Sequence, residues 1–421
     1  MVSVYIIGMS LVEMIGVIRR KEQRIREVTI YSMLMGGMIE KESEEGMKVY
    51  RMIMEEEGSK RGVIGVMIIG GMIIMLGKRR REEEIIIMQM SEGYKMMMIG
   101  NEWMIVYMGM EWQSMGMYSI GIGRGKSIKE REAGIKYMIV SGIAGGMYLM
   151  GVVRNYKETG SMKIIESEWI GGRKGWIIGS VMMKIGVVPM HMWIREIYEG
   201  ISKRSMEVYA VWPKWSISNM LCRWEVEWGR WVWVIVVVGS IIVGSIGGYG
   251  EESIRRWIGY STISQMGYML MGMSMGNKEE SVEYYISVYS IMMMGILGWW
   301  SEKKERRMKE LVGEGKRNSV KSGVMMVVMY SMMGMPVMSG FWSKYRVMME
   351  SVRSGEYGMG IVGVIGGVIG GYYYVKMIEV MYFKEKRREE RGELEKREGI
   401  GVMSIMVVLV MWMGIEERNI I

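Results

Sequence analysis

The chain has 421 residues with a formal net charge of +9, 24% charged residues and a mean hydropathy of +0.10. Its Lys and Arg residues alternate with Glu in connectors instead of forming one basic face, which argues against nucleic acid as a partner. The single cysteine, Cys222, excludes a disulfide framework within the chain and any zinc site built on cysteines.

Taken in order, apolar blocks recur at about 2–18, 28–39, 61–77, 85–100, 102–122, 133–153, 169–194, 206–222, 229–249, 257–275, 281–300, 322–349, 358–382 and 399–415. This spacing predicts an all-α integral membrane protein of about fourteen transmembrane helices. The first block, MVSVYIIGMSLVEMIGVIRR, lacks a basic leader and a small-residue cleavage site, so it reads as a spanning helix and not as a removable signal or an import presequence. The charged runs KRRREEE at 78–84, SEKKERRMKE at 301–310 and KEKRREERGELEKRE at 384–398 fall between blocks and read as loops. Trp103, Trp112, Trp193, Trp228, Trp231, Trp299, Trp300 and Trp412 sit near block edges, as an interfacial aromatic belt requires. Met, at 57 residues, stands with Ile and Val where Leu and Phe are usual, a volume-conserving exchange. Its even spread points to nucleotide bias of the kind found in organelle genomes, not to a sulfur-ligated metal.

Two blocks are longer than a bilayer needs and contain a proline: 169–194 with Pro189 and 322–349 with Pro336. Paired interrupted helices in two halves of a chain predict inverted repeats meeting at a site. The expected division is 1–84 for N-terminal transmembrane helices, 85–222 and 223–382 for the two repeats, and 383–421 for a charged loop and a C-terminal transmembrane helix. Five ionisable residues fall inside apolar spans: Glu111, Lys136, Lys184, Lys214 and Lys344. Any one could be a residue snorkelling to the interface. Together, one carboxylate among four ammonium groups meets the physical requirement of a proton relay, because a buried lysine holds its proton according to the charge beside it. Pro213, immediately before Lys214, frees a carbonyl in mid-helix, and His191 is the only histidine of the chain. No Ser/His/Asp set and no phosphate loop is visible, so a nucleophilic enzyme is a weaker reading. Glycines at 142, 145 and 146, and at 363, 366, 367, 370 and 371, would allow close helix contacts.

Five motifs, in order, then resemble one family. They are EWQSMGMYSIGIGRGKSIKEREAGIKYMIVSGIAGGMYLMGV; KIGVVPMHMWIREIYEG followed by AVWPK; RRWIGYSTISQMGYMLMG; LVGEGKRNSVKSG leading into MGMPVMSGFWSKY; and GGYYYVKMIEVMYF. From about residue 60 to 385 the chain is similar to subunit 2 (bacterial subunit N) of the proton-pumping NADH:quinone oxidoreductase, respiratory complex I. The resemblance implies an antiporter-like fold with two inverted five-helix repeats, each containing a broken helix, and a central axis of lysines and one glutamate. Glu111 and Lys184 match the family's Glu–Lys pair, Lys136 the lysine of the next helix, Lys214 the central connecting lysine and Lys344 the terminal one. It further implies a chain without its own cofactor, with FMN, iron–sulfur clusters and quinone on partner subunits. The implied partners are the antiporter-like subunits 4 and 5, small subunits such as 4L, accessory subunits and membrane phospholipids, cardiolipin among them. The implied location is the mitochondrial inner membrane. A cation/proton antiporter subunit of the Mrp type and a structural subunit with a silent axis are the alternatives. The chain departs from the pattern at Gln265, where the family often has histidine, at Arg195 and Glu196 before YEG, and at Val337, where a second proline is usual; the last predicts a milder opening at Pro336.

Overall fold

The computed structural model describes residues 81–122, 127–164, 175–224, 229–273, 278–301, 307–317 and 319–384. The expected spans at 2–18, 28–39, 61–77 and 399–415 lie outside these residues, as do nearly all of segments 1–84 and 383–421. The remaining blocks are helical. They are α1 (Arg81–Ile99), α2 (Trp103–Ile122), α3 (Ile128–Thr159), α4 (Gly175–Ile185), α5 (Met192–Gly200), α6 (Lys203–Arg223), α7 (Arg230–Tyr249), α8 (Ile254–Met273), α9 (Lys278–Ser301), α10 (Ser319–Met333), α11 (Ser339–Arg353) and α12 (Tyr357–Tyr382). Among the described residues there is no strand, only two isolated bridges. By length and composition α3, α7 and α12 are each able to cross a membrane.

Helix ends follow capping chemistry more than apolarity. α3 runs well past its apolar block because Ser127 accepts the Glu130 amide at 3.2 Å at one end, while Gly160 takes a left-handed φ of 68° at the other. The element order then repeats. Three helices, a broken pair and a closing helix (α1–α3, α4/α5, α6) are followed by the same sequence (α7–α9, α10/α11, α12). Neighbours in each unit pack as α1 on α2 and α7 on α8, and the units meet where α6 lies on α9 and α5 on α8.

In lipid, apolar burial alone does not hold helices together, so close backbone approach takes over. At Gly109 an added Cβ would lie 2.6 Å from the Gly93 carbonyl, which joins α2 to α1; at Gly340 it would lie 1.9 Å from the Ser331 carbonyl, which joins α11 to α10. The expected glycine contacts divide. Gly366 is pressed against Ile241 and Gly145 against Glu111, but Gly142 and Gly146 face open space. The aromatic belt also divides: Trp231 is exposed, whereas Trp103, Trp299 and Trp300 are fully buried by neighbouring helices and belong to the core. Trp103 sits edge-on to Trp224 at 4.9 Å, a partner the spacing of the sequence could not disclose.

Outside the spans, the 251–253 turn is tied to residues 307–311: Met308 donates its amide to the Glu252 carbonyl at 2.9 Å, and Lys309 Nζ lies 2.6 Å from Glu252 Oε1. The Lys309 ammonium holds the Glu252 carboxyl below its ordinary range. A depressed carboxyl contributes stability above its unfolded pKa and loses it as pH falls through the folded one. The protection of the Met308 amide, its exchange rate taken relative to the intrinsic rate at the same pH, should therefore fall on acidification through the carboxylate range, and Glu252→Gln should remove that fall. Separately, Gly340→Ala should cost about 1–3 kcal/mol by overpacking, read as a lowered thermal midpoint. Gly323→Ala, where nothing lies within 4 Å, should be neutral or slightly stabilising.

Candidate functional site

The site begins with helix breaks. α4 ends where Gly186 takes φ 80°, ahead of a cis Val188–Pro189 bond, and α10 ends where Gly334 takes φ 97°, ahead of Pro336. A left-handed φ is open to glycine at little cost. Val337 therefore does not soften the second break as the missing proline suggested, because Gly334 ends the helix first. His191 occupies the position just before α5.

Each break leaves carbonyls without helical donors. At the first, Gly186 and Val187 both donate to Met182 O, and the Trp193 indole donates to Met183 O at 2.9 Å. At the second, the chain leaves α10 at Gly334, with Gly334 and Met335 both donating to Tyr330 O, so no helical N–H reaches Met332 O. Lys344 Nζ supplies that bond at 2.8 Å and reaches Met333 O at 3.3 Å, so the cation also sits at the negative end of α10.

Pro213 acts in the same way within α6. It withholds a donor from Tyr209 O, and the Tyr198 hydroxyl of α5 donates there at 3.3 Å. The same hydroxyl accepts from Lys214 Nζ, which also donates to Ala210 O at 3.0 Å. Lys214 is 1% exposed, and its ammonium lies over the Tyr198 ring at 5.1 Å.

Lys184, 7% exposed on α4, is held 3.0 Å from Glu111 Oε1 and 3.0 Å from Ser114 Oγ, both on α2. Ser141 of α3 donates to Ser114 at 3.1 Å, and Gly145 leaves room for the Glu111 carboxylate, where a Cβ would come within 2.8 Å. This pair is the one expected from the motifs.

From Lys214 a polar line continues into the second unit. Tyr289 of α9 donates to Ala210 O and to Thr262 Oγ1, each at 3.3 Å. One turn along α8, the Gln265 carbonyl accepts from the Tyr285 hydroxyl. Tyr285 stacks on Tyr268 with centroids 6.5 Å apart, and Lys344 Nζ stands 5.2 Å from the Tyr268 ring. Gln265 cannot titrate, but it keeps its place in the line. α6, which carries Lys214, is bonded to α2, which carries Glu111, by Ser216 donating to Gln113 Oε1 at 2.9 Å, Tyr209 to Met117 O at 2.8 Å and Ser205 to Ile120 O at 3.1 Å.

Lys136 is elsewhere. Its side chain is 44% exposed and lies 2.9 Å from Glu132 and 3.0 Å from Glu196 of α5. The structure thus brings Lys184 to Glu111, Tyr289 to the carbonyl that Lys214 holds and the Tyr268 ring to Lys344, with Lys136 in none of these contacts. Sequence reading missed the tyrosines 198, 268, 285 and 289. Their signal was weak, since an aromatic in an apolar block normally means packing. Among the described residues no group of three or more His, Cys, Asp or Glu side chains could hold a metal ion.

The sequence profile of the family described as NADH:quinone oxidoreductase/Mrp antiporter, TM matches residues 100–370. The chain is similar to NADH-quinone oxidoreductase subunit N 1 of Rhizobium meliloti, 29% identical over 342 residues, which are 75% of this chain and 71% of that protein. It is also similar to NADH-quinone oxidoreductase subunit N of Paramagnetospirillum magneticum, 30% identical over 322 residues, 70% of this chain and 66% of that one. In fold it resembles a chain of respiratory complex I from Thermus thermophilus, with a TM-score of 0.87 and 18% identity, covering 98% of this chain and 97% of that one. A chain of the Mrp complex from Dietzia sp. follows at 0.82 and 15%, covering 100% and 95%.

Because Lys344 satisfies carbonyls freed by the break, Lys344→Leu should destabilise the protein by about 1–3 kcal/mol, the cost of leaving such a group buried and unpaired. Lys344→Gln, which keeps a donor, should lose less. Thermal denaturation of the two variants in detergent checks this order.

Proposed function

Because this chain belongs to the NADH:quinone oxidoreductase/Mrp antiporter transmembrane family, we propose that it is a membrane-arm subunit of respiratory complex I, of the subunit N (subunit 2) type, that translocates protons. The observation that carries the reading is the buried Lys184 ammonium held 3.0 Å from Glu111. Protonating Glu111 removes the charge that favours the ammonium, so a proton arriving at the carboxylate weakens the hold of Lys184 on its own. Lys214 and Lys344, each lodged among carbonyls and a tyrosine, are the next two stations. Energy for the movement comes from NADH oxidation and quinone reduction on partner subunits, which carry the FMN, iron–sulfur clusters and quinone. The chain is then an enzyme only as part of the NADH:quinone reductase, with no redox step of its own.

Its partners in this reading are the antiporter-like subunits 4 and 5, the small subunit 4L, accessory subunits and phospholipids such as cardiolipin. The segments 85–222 and 223–382 act as the two repeats, supported by their shared element order. A mitochondrial inner membrane rests on the skewed composition alone; the relatives named above are bacterial.

A Mrp-type cation/proton antiporter subunit is the second reading, favoured by the likeness in fold to the Mrp chain. The subunit N relatives favour the first. Lys214→Ala and Glu111→Gln should each lower the protons moved per electron in closed vesicles by at least about half. Full retention of that ratio in both variants overturns the relay. On a native gel of a mild-detergent extract, the chain should run within a large particle that oxidises NADH. Migration as a small assembly that exchanges sodium for protons supports the antiporter instead.

A further inference from the structure

α5 is nine residues long and follows a helix break, so it cannot be stable by itself; isolated helices shorter than about 12–15 residues are marginal. Its place is fixed from two sides. On the α3 side, Lys136 Nζ lies 3.0 Å from Glu196 Oε2 and 2.9 Å from Glu132, and Gly200 fits so closely that a Cβ there would be 2.5 Å from the Ala133 Cβ. On the α8 side, Arg255 donates to the Glu199 and Ile201 carbonyls at 2.6 and 2.7 Å, which satisfies the C-terminal end of α5. Arg256 Nε reaches Glu199 Oε2 at 2.7 Å, and Arg195 of α5 donates to the Tyr260 hydroxyl at 3.3 Å. Between these two sets of charges the helix buries a single hydroxyl, that of Tyr198, on Lys214.

We propose that Lys136 is a positioning residue that acts through α5, its bridge to Glu196 holding the helix in the rotation that keeps the Tyr198 hydroxyl on Lys214. Lys136 has two carboxylate partners, half-exposed itself, and no bond to Glu111 or Lys184. A side chain so placed serves the axis by geometry and passes no proton along it. Each residue of rotation about a helix axis turns a side chain through about 100°, so a small slip of α5 carries Tyr198 off its ammonium. The clamp also joins the units, because α3 belongs to the first and α8 to the second.

The proposal rests on the reading of the chain as a proton-translocating subunit. Its test measures NADH oxidation and proton uptake per NADH by the assembled enzyme in closed vesicles. Lys136→Met and Glu196→Gln should each lower proton uptake about twofold to fivefold, the scale of one exposed ion pair. Lys136→Arg, and the charge exchange Lys136→Glu with Glu196→Lys, should recover most of that loss. Lys136→Met combined with Tyr198→Phe should fall no further than Tyr198→Phe alone, because both act on one contact. Additive losses, an exchange that recovers nothing, or no loss in Lys136→Met would overturn the assignment. Lys184→Met is the control: its retaining full proton uptake would overturn the underlying reading, whereas its failing while Lys136→Met does not would overturn the positioning role alone.

Discussion

The buried ammonium groups of Lys184, Lys214 and Lys344 must each find oxygen inside a bundle of apolar helices, and that constraint organises much of the rest of the molecule. Lys184 finds a carboxylate and a serine, Lys214 a tyrosine and a carbonyl, Lys344 two carbonyls. Removing a charge from water costs several kcal/mol after relaxation, so each partner is a condition for the fold as well as for the chemistry. Glu111 completes a pair that can be neutralised by moving one proton.

The oxygen for two of the lysines comes from the backbone, next to a helix break or a proline. The break at Gly334 frees Met332 O, which Lys344 takes directly; Lys214 takes Ala210 O, and Pro213 frees Tyr209 O for the Tyr198 hydroxyl that also holds Lys214. The two breaks are not alike. The first is sealed by an indole and leaves its lysine facing a carboxylate, whereas the second is sealed by its lysine.

Tyrosine, threonine and glutamine side chains of α8 and α9 stand beside Lys214 and Lys344. Gln265 shows how a position can lose a titratable group and still hold its neighbours, by accepting from Tyr285. The crossing between units is carried by α6 on α9 at these side chains and by α5 on α8 at the charged clamp. One contact buries polar groups beside Lys214; the other carries exposed ion pairs and hydrogen bonds on a short helix.

The sequence by itself determined the helical class and the two interrupted helices, because long apolar blocks and proline are local signals, and the Glu111–Lys184 pairing came from the resemblance of its motifs to a family. It named Gln265 and Val337 as departures without their consequence. Only the tertiary structure decided that Gly334 ends α10 ahead of Val337, that Trp103, Trp299 and Trp300 are core, and that Tyr198 and Tyr268 lie against Lys214 and Lys344. It also decided that Lys136, which reads like the other lysines, faces Glu132 and Glu196 away from the axis. The reason is physical: a charge within an apolar block has the same composition whichever way it points, and its direction is set by helix rotation against neighbours that lie tens of residues away in the chain.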